Sequence, residues 1–116
     1  MIILSGHNKY GKNLLDSAEM IGGKQKNIYT VDFTEDMSVK DIYNSYENIA
    51  EDTDEDILIL SDIPGGSPAN AALLYKNQHK QVRVFTGLNL TMLLSLIMGE
   101  SVSSSIESAI NSIKEL

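Results

Sequence analysis

Apolar residues along the chain follow two alternating rhythms. Ile2-Ile3-Leu4, Ile28 to Phe33, Ile57-Leu58-Ile59-Leu60 and Val82 to Phe85 are short runs of strand length. The first and third are unbroken rather than alternating, the pattern of strands covered on both faces. Between the runs, apolar residues recur with helical spacing. Leu14, Ala18 and Ile21 share one face with Leu15 beside them, and Val39, Ile42, Tyr46 and Ile49 make a second stripe. Ala71, Leu74 and Tyr75 predict a third helix. Leu90, Leu93, Leu94 and Ile97 predict a fourth, more apolar one, and Ile106, Ala109, Ile110 and Ile113 a fifth at the C-terminus. Start signals agree with this reading. Ser38 with Asp41 three residues on is a capping-box variant, and Ser67-Pro68 reads as an N-cap followed by a first-turn proline.

Strands alternating with helices of this size imply βαβ units and a mainly parallel sheet. The predicted architecture is α/β: a flavodoxin-like, doubly wound sheet of order 2-1-3-4 with helices on both faces, residues 1–116 forming one domain. The acidic stretch Glu47 to Asp56 reads as a helix end running into a solvated loop.

Composition narrows the function classes. At 116 residues with 42% hydrophobic content the chain can bury one proper core. A net charge of -7 argues against nucleic acid as a partner, because a polyanion needs a basic surface. Without cysteine there is no disulfide or thiol chemistry. The apolar N-terminus lacks a basic flank, and Leu90 to Met98 is shorter than the roughly 20 residues a bilayer requires, so a cytoplasmic protein without membrane insertion is expected. His7 and His79 come from distant segments and no residue cluster has zinc spacing, so neither a metal nor a cofactor is expected.

Ligands of open parallel sheets bind beyond the carboxyl ends of the strands, where strand order reverses. Two unusual loops follow strands: Ser5-Gly6-His7-Asn8-Lys9-Tyr10-Gly11, and Ser61-Asp62-Ile63-Pro64-Gly65-Gly66-Ser67-Pro68. In the predicted strand order they are neighbours, which would place His7 beside Asp62. An imidazole, titrating near pH 6.5 when unperturbed, offers a nucleophilic nitrogen to phosphorus, and a carboxylate on the other nitrogen fixes its tautomer and orientation. Gly65 and Gly66 permit close backbone approach to a phosphoryl group, Ser67 offers a hydroxyl, and the helix opening at Pro68 adds its positive end. The helix after His7 points a second such end toward the same place. Each feature has a plainer reading: Asp62 as a turn residue, the glycine pair as a tight turn, Ser67-Pro68 as a cap, His79 as a solvated histidine. Their concentration in two adjacent loops favours chemistry.

Four segments together resemble the IIA components of mannose-family sugar phosphotransferase systems: Gly6-His7 after an apolar strand, Val31-Asp32-Phe33, Asp62-Ile63-Pro64-Gly65-Gly66-Ser67-Pro68 with Asn70, and Gly87-Leu88-Asn89-Leu90-Thr91-Met92-Leu93. The resemblance implies a phosphotransferase component in which His7 accepts phosphate from the phosphocarrier HPr on Nε2 and passes it to a IIB component. It also implies Asp62 as the Nδ1 partner and Gly65, Gly66 and Ser67 as part of the phosphate surround. Departures are Asn8, where the family often has glycine, and Pro64, where it often has an aromatic residue. Family members often add a final strand exchanged across a homodimer. This sequence closes on a helical pattern at Leu116, which leaves dimerisation open.

Alternatives remain at this stage. Gly6 to Asn13 nearly matches the phosphate-binding P-loop of nucleotide-binding proteins, except that Asn13 stands where a magnesium-binding hydroxyl belongs. A receiver-like domain phosphorylated on Asp62 would need an acidic pair after the first strand, which Ser5-Gly6-His7-Asn8 lacks. A non-catalytic relative of the same fold, acting only by binding a regulatory partner, would keep the architecture without the transfer.

Overall fold

Strand β1 (Ile2–His7) is the hub of the sheet, hydrogen-bonded on one side to β2 (Ile28–Phe33) and on the other to β3 (Ile57–Ser61), which pairs in turn with β4 (Val82–Thr86). The computed structural model describes all 116 residues. Every pairing is parallel and the order is β2-β1-β3-β4, as the sequence pattern predicts. The chain moves from β1 to β2 on one side, then crosses back over β1 to lay down β3. Strand order therefore reverses between β1 and β3, and their carboxyl ends flank the crevice.

Five helices cover the sheet: α1 (Tyr10–Gly22), α2 (Val39–Ile49), α3 (Ser67–Gln78), α4 (Leu90–Ile97) and α5 (Val102–Asn111). Alternate side chains of the strands feed two cores, since successive residues point to opposite faces. Ile3, Val31, Ile57 and Ile59 pack with Ile42 and Tyr46 of α2 and Ala71, Ala72 and Tyr75 of α3. Leu4 and Leu60 pack on the other face with Leu15 and Ala18 of α1, Met92 and Leu93 of α4, and Ala109 of α5.

The capping box at α2 forms as expected: Asp41 N–H donates to Ser38 Oγ at 3.2 Å, and Ser38 N–H donates to Asp41 Oδ2 at 2.8 Å. At α3 the expectation needs correction. Gly66, not Ser67, is the N-cap; Ser67 and Pro68 form the first turn, and no side chain caps this end. Some predicted core positions also differ. Leu74 is 51% exposed and Ile21 and Ile110 also face outward. The buried side of α3 runs through Pro68, Ala69, Ala71, Ala72 and Tyr75 instead. Its alanines let the helix backbone approach the sheet closely, and that rotation sends Leu73 and Leu74 outward. Ile113 lies beyond the last turn of α5 and is exposed.

Candidate functional site

His7 is the last residue of β1, and Asp62 directly follows the last residue of β3. Because Ser5 pairs with Ser61 in the ladder, the two side chains rise from adjacent strand tips. Their contact is direct. The His7 backbone N–H donates to Asp62 Oδ2 at 2.9 Å, and His7 Nδ1 lies 2.8 Å from the same oxygen. Asp62 Oδ1 accepts from the Ile63 N–H at 2.9 Å. The carboxylate is held at its base as well, where Asp62 N–H donates to the Ser5 carbonyl and its own carbonyl accepts from Gly87 N–H. Gly6 makes room for this arrangement, since a Cβ there would come within 3.2 Å of the Asp62 carboxyl carbon and 3.1 Å of Tyr10 Cβ.

Burial pushes the Asp62 pKa up, but the backbone and ring N–H groups of His7 and the Ile63 N–H outweigh it, so the net shift is downward. An ionised carboxylate can only accept. Nδ1 therefore carries the proton of the neutral ring, and Nε2 keeps its lone pair. The two side chains differ in exposure as this division of roles requires: 45% for His7 and 11% for Asp62.

Nε2 and Cε1 face the opening of α3. A Cβ on Gly66 would sit 2.9 Å from His7 Cε1 and 3.7 Å from Nε2, so any side chain there would displace the ring that glycine leaves in place. Gly65 takes φ +81°, the left-handed region open to glycine, and this turns the chain into the helix. The Asn70 side chain donates to the Gly65 carbonyl at 3.3 Å and braces that turn. Gly66 O already accepts from Asn70 N–H, whereas the N–H groups of Ser67 and Ala69 lie in the first turn, where helices offer them no carbonyl. The positive end of α3 is thus presented beside the imidazole. Ser67 stands in that first turn, half-buried.

Several neighbours were not legible as site residues in the sequence. Phe33 meets the imidazole edge-on, with centroids 5.5 Å apart. Tyr10 opens α1 and donates its hydroxyl to the Leu88 carbonyl, tying that helix to the loop after β4. Burial, and secondarily the Asp62 charge, raise its pKa. Phe33 closes the Val31-Asp32-Phe33 motif, which was the available signal. Tyr10 carried none.

The other candidates lie elsewhere. His79 follows the last turn of α3, at the opposite end of that helix from His7, and is stacked on Tyr75 at 4.1 Å rather than free in solvent. No group of three or more His, Cys, Asp or Glu side chains is arranged to hold a metal. The P-loop resemblance does not survive in three dimensions. Only Asn8 and Lys9 separate β1 from α1, Gly11 is helical and packed on the Leu4 carbonyl, and Lys12 Nζ bonds Asp16 at 2.6 Å. That leaves no loop long enough to wrap a phosphate chain.

Comparison with known proteins agrees with the geometry. The family model for the PTS system fructose IIA component matches residues 1–114. The PTS system fructose-specific EIIA component of Bacillus subtilis (strain 168) is 31% identical over 98 residues, covering 83% of this chain and 67% of that protein. The PTS system mannose-specific EIIAB component of Escherichia coli (strain K12) is 32% identical over 99 residues, covering 84% of this chain but only 31% of that longer protein. Among solved structures, the mannose/sorbose specific IIA subunit of the phosphotransferase system from Enterococcus faecalis superposes with a TM-score of 0.91 at 23% identity, over 99% of this chain and 92% of that one. No helix is long and apolar enough to cross a membrane. With a family match along nearly its whole length, this chain belongs to the mannose-type EIIA family of sugar phosphotransferase system components.

Proposed function

We propose that the protein is a cytoplasmic phosphoryl carrier in which His7 Nε2 accepts phosphate from phosphorylated HPr and delivers it to a IIB component. The observation that carries this reading is the pairing of Asp62 with Nδ1, which leaves the Nε2 lone pair of a half-exposed ring beside the opening turn of α3. In the forward step, Nε2 attacks the phosphorus in line, the nitrogen–phosphorus bond forms, and the bond from phosphorus to the donor breaks. No proton needs to move. The ring becomes cationic while Nδ1–H still donates to Asp62, so the carboxylate stabilises the phosphorylated form. Gly65, Gly66 and Ser67 surround the phosphoryl oxygens, with helix N–H groups and the Ser67 hydroxyl as donors. Transfer to IIB is the reverse reaction with a different acceptor. Sugar has no role at this site, and no cofactor or metal enters the step.

The test is incubation with phosphorylated HPr followed by mapping of the labelled residue. Label on His7, lost in acid and retained in alkali, is expected. His7→Ala should abolish labelling while its circular dichroism and thermal melt stay those of the parent chain. Label on Asp62, which alkali would strip, or on no residue at all would sink the proposal.

A further inference from the structure

Beneath the rim, the Tyr46 hydroxyl joins the two segments that hold the imidazole. Tyr46 belongs to α2, carries no part of the site and is fully buried. Its oxygen donates to the Pro68 carbonyl at 2.9 Å and shares a 2.7 Å hydrogen bond with Ser5 Oγ. Ser5 lies two residues before His7 on β1, and Pro68 two residues after Gly66 in the first turn of α3. One side chain thus spans the strand that carries the imidazole and the helix turn that faces it. The third hydroxyl at this place, Ser61 Oγ, is buried and stands across the ladder from Ser5.

A helical stripe of apolar positions explains why an aromatic ring is buried at residue 46. It does not explain the oxygen, because phenylalanine would fill the same space without a polar atom to satisfy. Burying a hydroxyl is unfavourable unless it is bonded, and here both partners come from the segments flanking the active site. Desolvation pushes the Tyr46 pKa up to about 12, so the phenol stays protonated and donating throughout the neutral range. The geometry it governs has little slack: the imidazole and Gly66 are packed so closely that a single added methyl would collide.

We infer that Tyr46 is a positioning residue, whose hydroxyl sets the spacing between the β1 tip and the α3 opening and thereby the attack geometry of His7. This rests on the carrier reading for its kinetic consequence, though the placement of the ring can be measured without it. The perturbation is Tyr46→Phe, which keeps ring volume and packing and removes only the oxygen.

Two readouts test it together. In single-turnover transfer from phosphorylated HPr, the maximal rate should fall about 10-fold, a fraction of the cost of a full ångström of misplacement. The donor concentration giving half that rate should hold, because the residue is buried away from any partner. In nitrogen NMR of the unphosphorylated chain, the His7 ring resonances should shift in Tyr46→Phe, whereas those of His79 should not. Unchanged His7 resonances would overturn the inference, whatever happens to the rate or the melting temperature. A shifted ring with an unchanged maximal rate would overturn it too. If the parent chain takes no phosphoryl group, the carrier reading fails, and the ring resonances alone decide whether Tyr46 positions His7.

Discussion

Gly66→Ala isolates the fit between helix and imidazole. Gly66 has φ −78° and ψ 163°, values open to any residue, so the backbone accepts alanine without strain. The new methyl, however, would lie 2.9 Å from His7 Cε1 and 3.4 Å from Ile63 Cγ1. Carbon–carbon contacts settle at about 3.5–4.0 Å, so the ring must yield by at least about 0.6 Å. Being 45% exposed, it can do so by swinging toward solvent, but that motion stretches the 2.8 Å bond from Nδ1 to Asp62. A displacement of this order should slow phosphoryl transfer by roughly 10- to 100-fold, or about 1.4–2.7 kcal/mol in the barrier. Stability should hardly change. Replacing a glycine cap by alanine costs roughly 0.7 kcal/mol, small beside the effect expected on the barrier. Quenched single-turnover labelling by phosphorylated HPr, paired with a urea melt, separates the two effects. Parental transfer kinetics in Gly66→Ala would refute the claim that this contact holds the imidazole in place.

Asp62→Ala should slow labelling by about 10- to 100-fold without abolishing it, because the nucleophile remains and only its orientation and charge partner are lost; full activity would remove the role assigned to the carboxylate. The same residue should impart a pH dependence to stability. Its folded pKa lies below the ordinary value of 3.8, so the native state binds fewer protons than the unfolded state at acid pH. The contribution is complete above the unfolded pKa and is lost as pH falls through the folded one. The stability gap between the parent and Asp62→Ala, read from urea midpoints, should therefore narrow as pH falls from about 5 to about 2. Ser38→Ala removes the capping box of α2 and should lower stability by about 1 kcal/mol, seen as a fall in melting temperature of about 4 °C, with labelling kinetics unchanged.

Strand order, helix count and the meeting of His7 with Asp62 were legible from residues alone. Unbroken apolar runs of strand length such as Ile57 to Leu60 fit strands covered on both sides, and in the flavodoxin-like order expected for them the loops after β1 and β3 are neighbours. Periodicity was less reliable at the helix surfaces. It placed Leu74 on one stripe with Ala71 and Tyr75, whereas closeness to the sheet selected the small Ala69 and Ala72 in its stead. Likewise Ser67-Pro68 carried a cap signature, yet after the turn made by Gly65 the N-cap falls one residue earlier, on Gly66.

What the chain alone determined is therefore the part that depends on local chemistry: which segments are strands and which helices, which loops follow strands, and which residue types those loops present. Only tertiary structure could decide distances and orientations. The shared Oδ2 that fixes the His7 tautomer, the edge of Phe33 against the ring, and the bridge from Tyr46 to both sides of the site all join residues far apart in sequence. Such contacts arise from packing one layer on another, and no pattern of neighbours along a chain encodes where those layers come to rest.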